Sequence, residues 1–406
     1  MLRNVLIPAF LAVVVALLVT RLVLRARGGE LVHPRPMSER PVSSSPVAPT
    51  THQANTTEIP AVHLPGEFEP QEAIVLAAGR LAESWPNMLA DMVAAIDEKV
   101  TVLGFVNGAE QRARVRDVLL SGGVSPDRIR LAEAPLQSRW MRDYGPIVVH
   151  LADDTPAVID AIFVHTVAQR FEDDFSGLFA SQLGLPVSKA HLVFEGGNLL
   201  SNGRGICLTT WRALLHNQTK FGCDHDYEAP EIHNIFTAAF GSTQTAFLEP
   251  LHGNRSGHVD MFAVFTSADT VVVGSYNPAL DPVNAAVLDR NARTLACLKT
   301  EQGPLHVVRI PMPPNDDGIF RTYTNVLFAN NTLLVPIYPG LDPEGEQQAM
   351  ATYRRLLPGR KVVGIDVTEA IAYGGGLHCV TSNIPASKAK PLSRPTSNLH
   401  LLSLHP

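Results

Sequence analysis

"AHLVFEGGNLLSNGRGICLTT", residues 190–210, sets two apolar runs around a short polar, glycine-rich stretch that carries Glu195. The runs read as strands and the stretch between them as a turn. The same pattern occurs in "RIRLAEAPLQSRWMRDYGPIVVH", "TAFLEPLHGNRSGHVDMFAVF", "LHVVRIPMPPNDDGIFRTYTNVLFAN" and "KVVGIDVTEAIAYGGGLHCVTSNIP". Each copy has a polar residue at a comparable place: Asp143, Glu195, His258 with Asp260, Asn325, and Cys379. These stand 52, 63, 67 and 54 residues apart, counting from His258 in the third copy. Helix-patterned segments near 83–98, 174–184, 227–240, 283–299 and 344–357 alternate with them. In "DFSGLFASQLG", for example, Phe175, Leu178, Phe179 and Leu183 supply the apolar face. Alternating strands and helices predict an α/β fold. A repeat of this kind closed into a ring protects its strand edges and brings the same position of every unit to one axis. Turns carry polar residues as a matter of course, but they seldom supply a cysteine, a histidine and three carboxylates at matched positions.

The chain has 406 residues, 45% hydrophobic and 18% charged, enough for a large core. A net charge of -6 with no long basic run argues against a nucleic-acid partner and suits a small cation. The four cysteines form no C-x-x-C pair, so neither a disulfide framework nor a zinc ribbon is indicated. Without further context each reads as a small buried hydrophobe.

Ahead of the repeats, "MLRNVLIPAFLAVVVALLVTRLVLRARGG" has no charge from Asn4 to Thr20, and its apolar run reaches Leu24. Residues 1–27 therefore read as a single-pass membrane anchor, with a signal segment as the competing reading. Arg21, Arg25 and Arg27 after the span favour a cytoplasmic domain. The Pro/Ser/Thr-rich stretch 28–60 reads as a tether and points to the outer side, so the orientation stays open. Residues 61–386 form the expected catalytic domain, and 387–406 a loosely held polar tail.

In an extended "GHVDMF", His258 and Asp260 share one face, giving an orientable base beside a carboxylate. By the same period, His378 and Cys379 point to opposite faces, which makes His258 the better partner for the thiol. A Cys/His pair suits nucleophilic catalysis. Anions around a thiolate raise its pKa, so the carboxylates make sense only for a cationic substrate. A guanidinium fits, held by Asp143 and Asp260 against Cys379. Zinc hydrolysis through His258, Asp260, Glu195 and Cys379 is an alternative that lacks a second histidine at ligand spacing. A catalytically silent, membrane-tethered binding module is another.

The ordered stretches "LPGEFEPQEAIVLAAG", "RWMRDYGPIVV", "FEGGNLLSNGRG", "SGHVDMFAVF", "YTNVLFANNTLLVPIY" and "GGGLHCVTSNIP" resemble the agmatine deiminase and bacterial peptidylarginine deiminase family, of the five-bladed β/α-propeller (pentein) fold. The resemblance implies that Cys379 is the nucleophile and His258 the general acid and base. Asp143 and Asp260 would bind the guanidinium, with Glu195 and Asn325 in the substrate site. It also implies no metal or organic cofactor, and a substrate that is a small guanidino cation or an arginine-containing peptide. In "AIFVHTVAQRFEDDF" the family's agmatine-type tryptophan- and glycine-containing stretch is replaced. Of the two arginines with which the peptidylarginine type grips a terminal carboxylate, that region offers Arg170.

Overall fold

The structure is a computed structural model that describes residues 62–389, apart from 164–169 and 222. The expected membrane segment 1–27 and tether 28–60 lie outside the described residues. Among those described, no helix is long and apolar enough to cross a membrane.

Five sheets repeat one arrangement: a first strand antiparallel to a second, which is parallel to a third. Strand Ile147–Leu151 pairs with Pro156–Ile162, which runs alongside Val187–Val193. Leu200–Ser201, Ile206–Thr210 and Gln244–Leu248 form the next sheet. Ala263–Ser267, Thr270–Ser275 and His306–Pro311 follow, then Leu327–Ala329, Thr332–Ile337 and Lys361–Asp366. In the last sheet the first strand is Thr381–Pro385, from the far end of the domain. It pairs with Gln71–Leu76, which is parallel to Thr101–Val106 and, through it, to Ile129–Glu133. The two ends of the described domain are therefore joined by backbone hydrogen bonds.

Runs such as "TVVVGS" and "TLLVPI" are β-branched or aliphatic and almost wholly buried, as expected of strands covered on both faces. A helix links the second strand of each unit to the third. Two of these helices, Pro282–Ala296 and Pro343–Leu356, start alike: Asp281 and Asp342 accept a bond from the third backbone N–H onward, and a proline fills the first helical position. The helices expected near 83–98, 174–184 and 227–240 are Ala78–Ser84 with Pro86–Ala95, Arg170–Leu183 and Ala229–Phe240. Trp85 and Pro86 split the first of them.

Ser387 and Lys388, at the start of the expected tail, contact Asp154. Ser387 Oγ donates to the Asp154 carbonyl at 2.7 Å, and the Lys388 N–H donates to Asp154 Oδ2 at 2.7 Å.

Ile384 is fully buried in the strand that joins the two ends. Ile384→Ala should cost about 2–5 kcal/mol in urea unfolding, as core truncations do. A cost near zero would mean that this strand is not part of the cooperative core.

Candidate active site

The segment just before each first strand carries the expected residues. Asp143 lies on the short helix Met141–Tyr144, which Gly145 and Pro146 end. Glu195 precedes the single turn Gly196–Asn198, and His258 precedes the single turn Val259–Met261. Asn325 and Cys379 lie in turns ahead of Leu327–Ala329 and Thr381–Pro385. His258 is extended, but Val259–Met261 is a helical turn and residues 377–380 form a turn, so the face argument drawn from strand period does not apply to them. His258 and Asp260 converge because a helical turn carries Asp260 round to the imidazole.

Gly197 marks the meeting point. A Cβ there would stand 2.6 Å from His258 Nδ1, 2.8 Å from Asp143 Oδ1 and 3.3 Å from Asp260 Oδ2. Only a residue without a side chain lets these groups close in. His258 Nε2 is 2.7 Å from Glu195 Oε2, and its Nδ1 is 3.6 Å from Asp143 Oδ1. Burial opposes the imidazolium, yet Asp143, Glu195 and Asp260 together lift the His258 pKa to about 9. Burial likewise raises Asp143 to about 7, with Glu195 and Asp260 adding to it and His258 and the Gly197 N–H opposing. The same bond and charge of His258 hold Glu195 below the ordinary carboxyl range despite its burial.

Cys379 is shaped by Asn325. The Asn325 Oδ1 accepts from the N–H groups of Gly376, His378 and Cys379 at 3.2, 3.0 and 3.4 Å. Its Nδ2 donates to Cys379 Sγ at 3.2 Å and to Asp260 Oδ2 at 3.1 Å. The thiol sits 3.5 Å from Asp260 Oδ2. Burial, then Asp260 and Asp143, push the Cys379 pKa well above the usual thiol range, against the pull of the Asn325 and Gly376 bonds. Asp143 Oδ1 and Asp260 Oδ1 are buried with no hydrogen-bond partner among the described residues. Two acceptor oxygens of this kind beside a thiol and an imidazolium call for a planar cationic donor.

The sequence model of the Porphyromonas-type peptidyl-arginine deiminase family matches residues 63–385. The chain belongs to this family. A putative agmatine deiminase of Streptomyces coelicolor is 30% identical over 302 residues, 69% of this chain and 84% of its own. The agmatine deiminase of Medicago truncatula is 25% identical over 386 residues, 82% of this chain and 99% of its own. Among solved structures, the putative arginine deiminase from Porphyromonas gingivalis matches with a TM-score of 0.67 at 24% identity, covering 80% of this chain and 98% of its own. The agmatine deiminase of Enterococcus faecalis matches at 0.67 and 20% identity, covering 80% and 96%. At those identities the structural likeness speaks for the fold.

Glu195 and Asn325, expected in the substrate site, stand against His258 and the cysteine turn. Arg170 is the first residue of Arg170–Leu183, and its side chain lies outside the described residues. Among the described residues no group of three or more His, Cys, Asp or Glu is placed to hold a metal. Of the other cysteines, Cys207 is buried and raised to about 12, mainly by burial, Cys223 is half-buried and Cys297 is exposed.

Sequence reasoning missed Glu67, Arg142 and the rim, and it set His378 aside without finding its partners. Arg142 Nη1 pairs with Glu67 Oε1 at 2.6 Å, and its Nη2 donates to Asn383 Oδ1 at 2.8 Å. Burial raises the Glu67 pKa, but the Arg142 and His378 charges and bonds outweigh it and bring it down to about 2. A Cβ on Gly375 would meet the Trp140 ring at 2.6 Å and Cys379 Sγ at 2.9 Å, so the ring flanks the thiol. From Trp140 the wall continues to Trp85, 5.6 Å away, and on to the exposed Tyr373, 5.9 Å further. The Arg139 guanidinium lies 4.9 Å from the Trp85 ring centre and 5.6 Å from that of Tyr373.

Gly197→Ala should leave the protein folded and lower kcat/KM by about a hundredfold or more, since the methyl would enter the space shared by three functional groups. Circular dichroism and an ammonia-release assay test this together. Near-normal turnover would show that the three groups do not work on a common point.

Proposed function

We propose that this protein hydrolyses a guanidino group to a ureido group and ammonia. The observation that carries the reading is the pair of buried carboxylate oxygens, on Asp143 and Asp260, facing a space bordered by the Cys379 thiol and the His258 imidazole. We further read the five sheets as blades of a closed five-bladed propeller with its turns gathered at one axis. The repeated strand order and the pairing of Thr381–Pro385 with Gln71–Leu76 support that closure.

The substrate guanidinium lies between Asp143 and Asp260, satisfying both oxygens and supplying the positive charge that the thiol lacks in the free site. A proton leaves the site as the cation enters, and Cys379 becomes a thiolate. Its sulfur forms a bond to the guanidino carbon. His258, held as an imidazolium by Glu195, gives its proton to one nitrogen, and the C–N bond breaks to release ammonia. A water then yields a proton to the neutral imidazole and bonds to the carbon of the S-amidino intermediate. The C–S bond breaks, returning the thiolate, the hydroxyl proton of the adduct passes to solvent, and the neutral ureido product departs. Cys207 and the other thiols have no part in this.

The rim bears on the substrate's other end. Arg139 is held by two aromatic rings, and among the described residues no carboxylate pairs with it. A cation at the mouth repels the ammonium tail of agmatine and suits an arginine whose far end is neutral or anionic. We therefore read the substrate as arginine in a peptide, in keeping with the family description, although curated relatives are named agmatine deiminases.

Ammonia and ureido product are to be measured from agmatine, free arginine and arginine-ended peptides. Cys379→Ala should abolish turnover, by about a thousandfold at least. Activity that survived this change would sink the thiol mechanism. Arg139→Ala should raise the ratio of agmatine to peptide kcat/KM, and an unchanged ratio would remove Arg139 from substrate choice.

The pH profile follows from Asp143 and His258. The Asp143 carboxyl, raised to about 7, ionises only above that value, and the His258 imidazolium, raised to about 9, persists only below it. kcat/KM should therefore rise through about pH 7 and fall past about pH 9. A profile flat across this window would contradict the assignment.

A further inference from the structure

His378 adjoins the nucleophile in sequence, yet no hydrogen bond joins its ring to the thiol. Its Nδ1 is 2.7 Å from Asp260 Oδ2, and its Nε2 is 3.0 and 3.1 Å from the two Glu67 oxygens. The ring is buried, 2% exposed, so water does not compete for either nitrogen. A carboxylate only accepts, so both nitrogens must donate, and that requires the imidazolium. Glu67 also accepts from Arg142 at 2.6 Å, which keeps it a carboxylate and makes it an anchor for the ring.

We propose that His378 is a positioning residue for Asp260: a buried imidazolium, fixed by Glu67, that holds Oδ2 and leaves Oδ1 aimed at the substrate. This rests on the deimination reading above and adds a fixed positive charge to it. Asp260 has three neighbours on Oδ2, namely His378, Asn325 Nδ2 and the Cys379 thiol, and none among the described residues on Oδ1. One oxygen is thus used up by the protein and the other kept for a ligand. His378 is the only one of those three neighbours that brings a positive charge. Without it, Asp260 would face Cys379 and the nearby Asp143 with its charge balanced only by His258 across the site. The further charges on the relay are Glu67, which offsets the imidazolium, and Arg142, which offsets Glu67 while opposing protonation of His378.

The test compares wild type, Cys379→Ala, and His378→Gln, which can still donate one hydrogen bond but carries no charge. With the positive charge gone, protons bind Asp143 more readily, so the acid limb of kcat/KM should move upward by about one pH unit. KM should rise about tenfold, with a smaller change in kcat, because the lost charge serves guanidinium binding. A folded His378→Gln enzyme whose acid limb and KM match the wild type would overturn the proposal, as would a fall in kcat alone. If His378→Gln does not fold, ¹⁵N-histidine labelling of the Cys379→Ala protein decides instead. Both ring nitrogens of His378 should remain protonated at about pH 8, well above the ordinary imidazole range. A neutral tautomer there would overturn the proposal. The wild type separates this from the larger reading: no ammonia from any guanidine sinks deimination itself, whereas a working wild type with an unmoved acid limb in His378→Gln sinks only the role of His378.

Discussion

Two carboxylates, half-buried Asp143 and buried Asp260, stand beside a thiol, and each keeps one buried oxygen without a hydrogen-bond partner among the described residues. That is a costly arrangement in the absence of a cation, since burial and like charge both act against it. The surrounding structure limits the cost without removing it. His258 and His378 bring positive charge to opposite sides, Asn325 donates to both Asp260 and Cys379, and Gly197 lets the groups approach. What remains uncompensated is the charge and donor set of a guanidinium. The site's deficit in its free state thus describes its ligand.

The same deficit accounts for the protonation pattern. Cys379 is held well above the usual thiol range and Asp143 is raised to about 7, mainly through burial. A nucleophile suppressed in this way is quiet toward adventitious electrophiles. It is released only when a positive charge sits where Asp143 and Asp260 can share it. On the proposed mechanism, substrate recognition and nucleophile activation are one electrostatic event.

Much of this was legible in the chain. The five strand-turn-strand copies and the intervening helical patterns survive folding nearly in place, because apolar periodicity is local and each unit repeats it. The convergence of Asp143, Glu195, His258, Asp260, Asn325 and Cys379 followed from their matched positions in those copies. The details failed where turns replaced strands. "GHVDMF" and "LHCVT" were read with a two-residue period, but Val259–Met261 is a single helical turn and His378 and Cys379 lie in a turn held by Asn325. Glu67 stayed hidden for a different reason. Its partners are His378, 311 residues away, and Arg142, and nothing local in "LPGEFEPQ" announces either.

Glu67 also shows why the strand from the far end of the domain matters to the chemistry. Glu67 lies four residues before Gln71–Leu76, and His378 three before Thr381–Pro385, the two strands that pair across the ends of the described domain. Arg142 bridges them, donating to Glu67 and to Asn383 within the closing strand, while its own N–H holds the Cys379 carbonyl at 3.1 Å. The pairing that joins the chain ends and the charge relay that orients Asp260 therefore share the same few residues. Loosening the closing strand would let His378 and Glu67 separate and free Oδ2 of Asp260, so the geometry of the guanidinium site is tied to the strand pairing that joins the domain's ends.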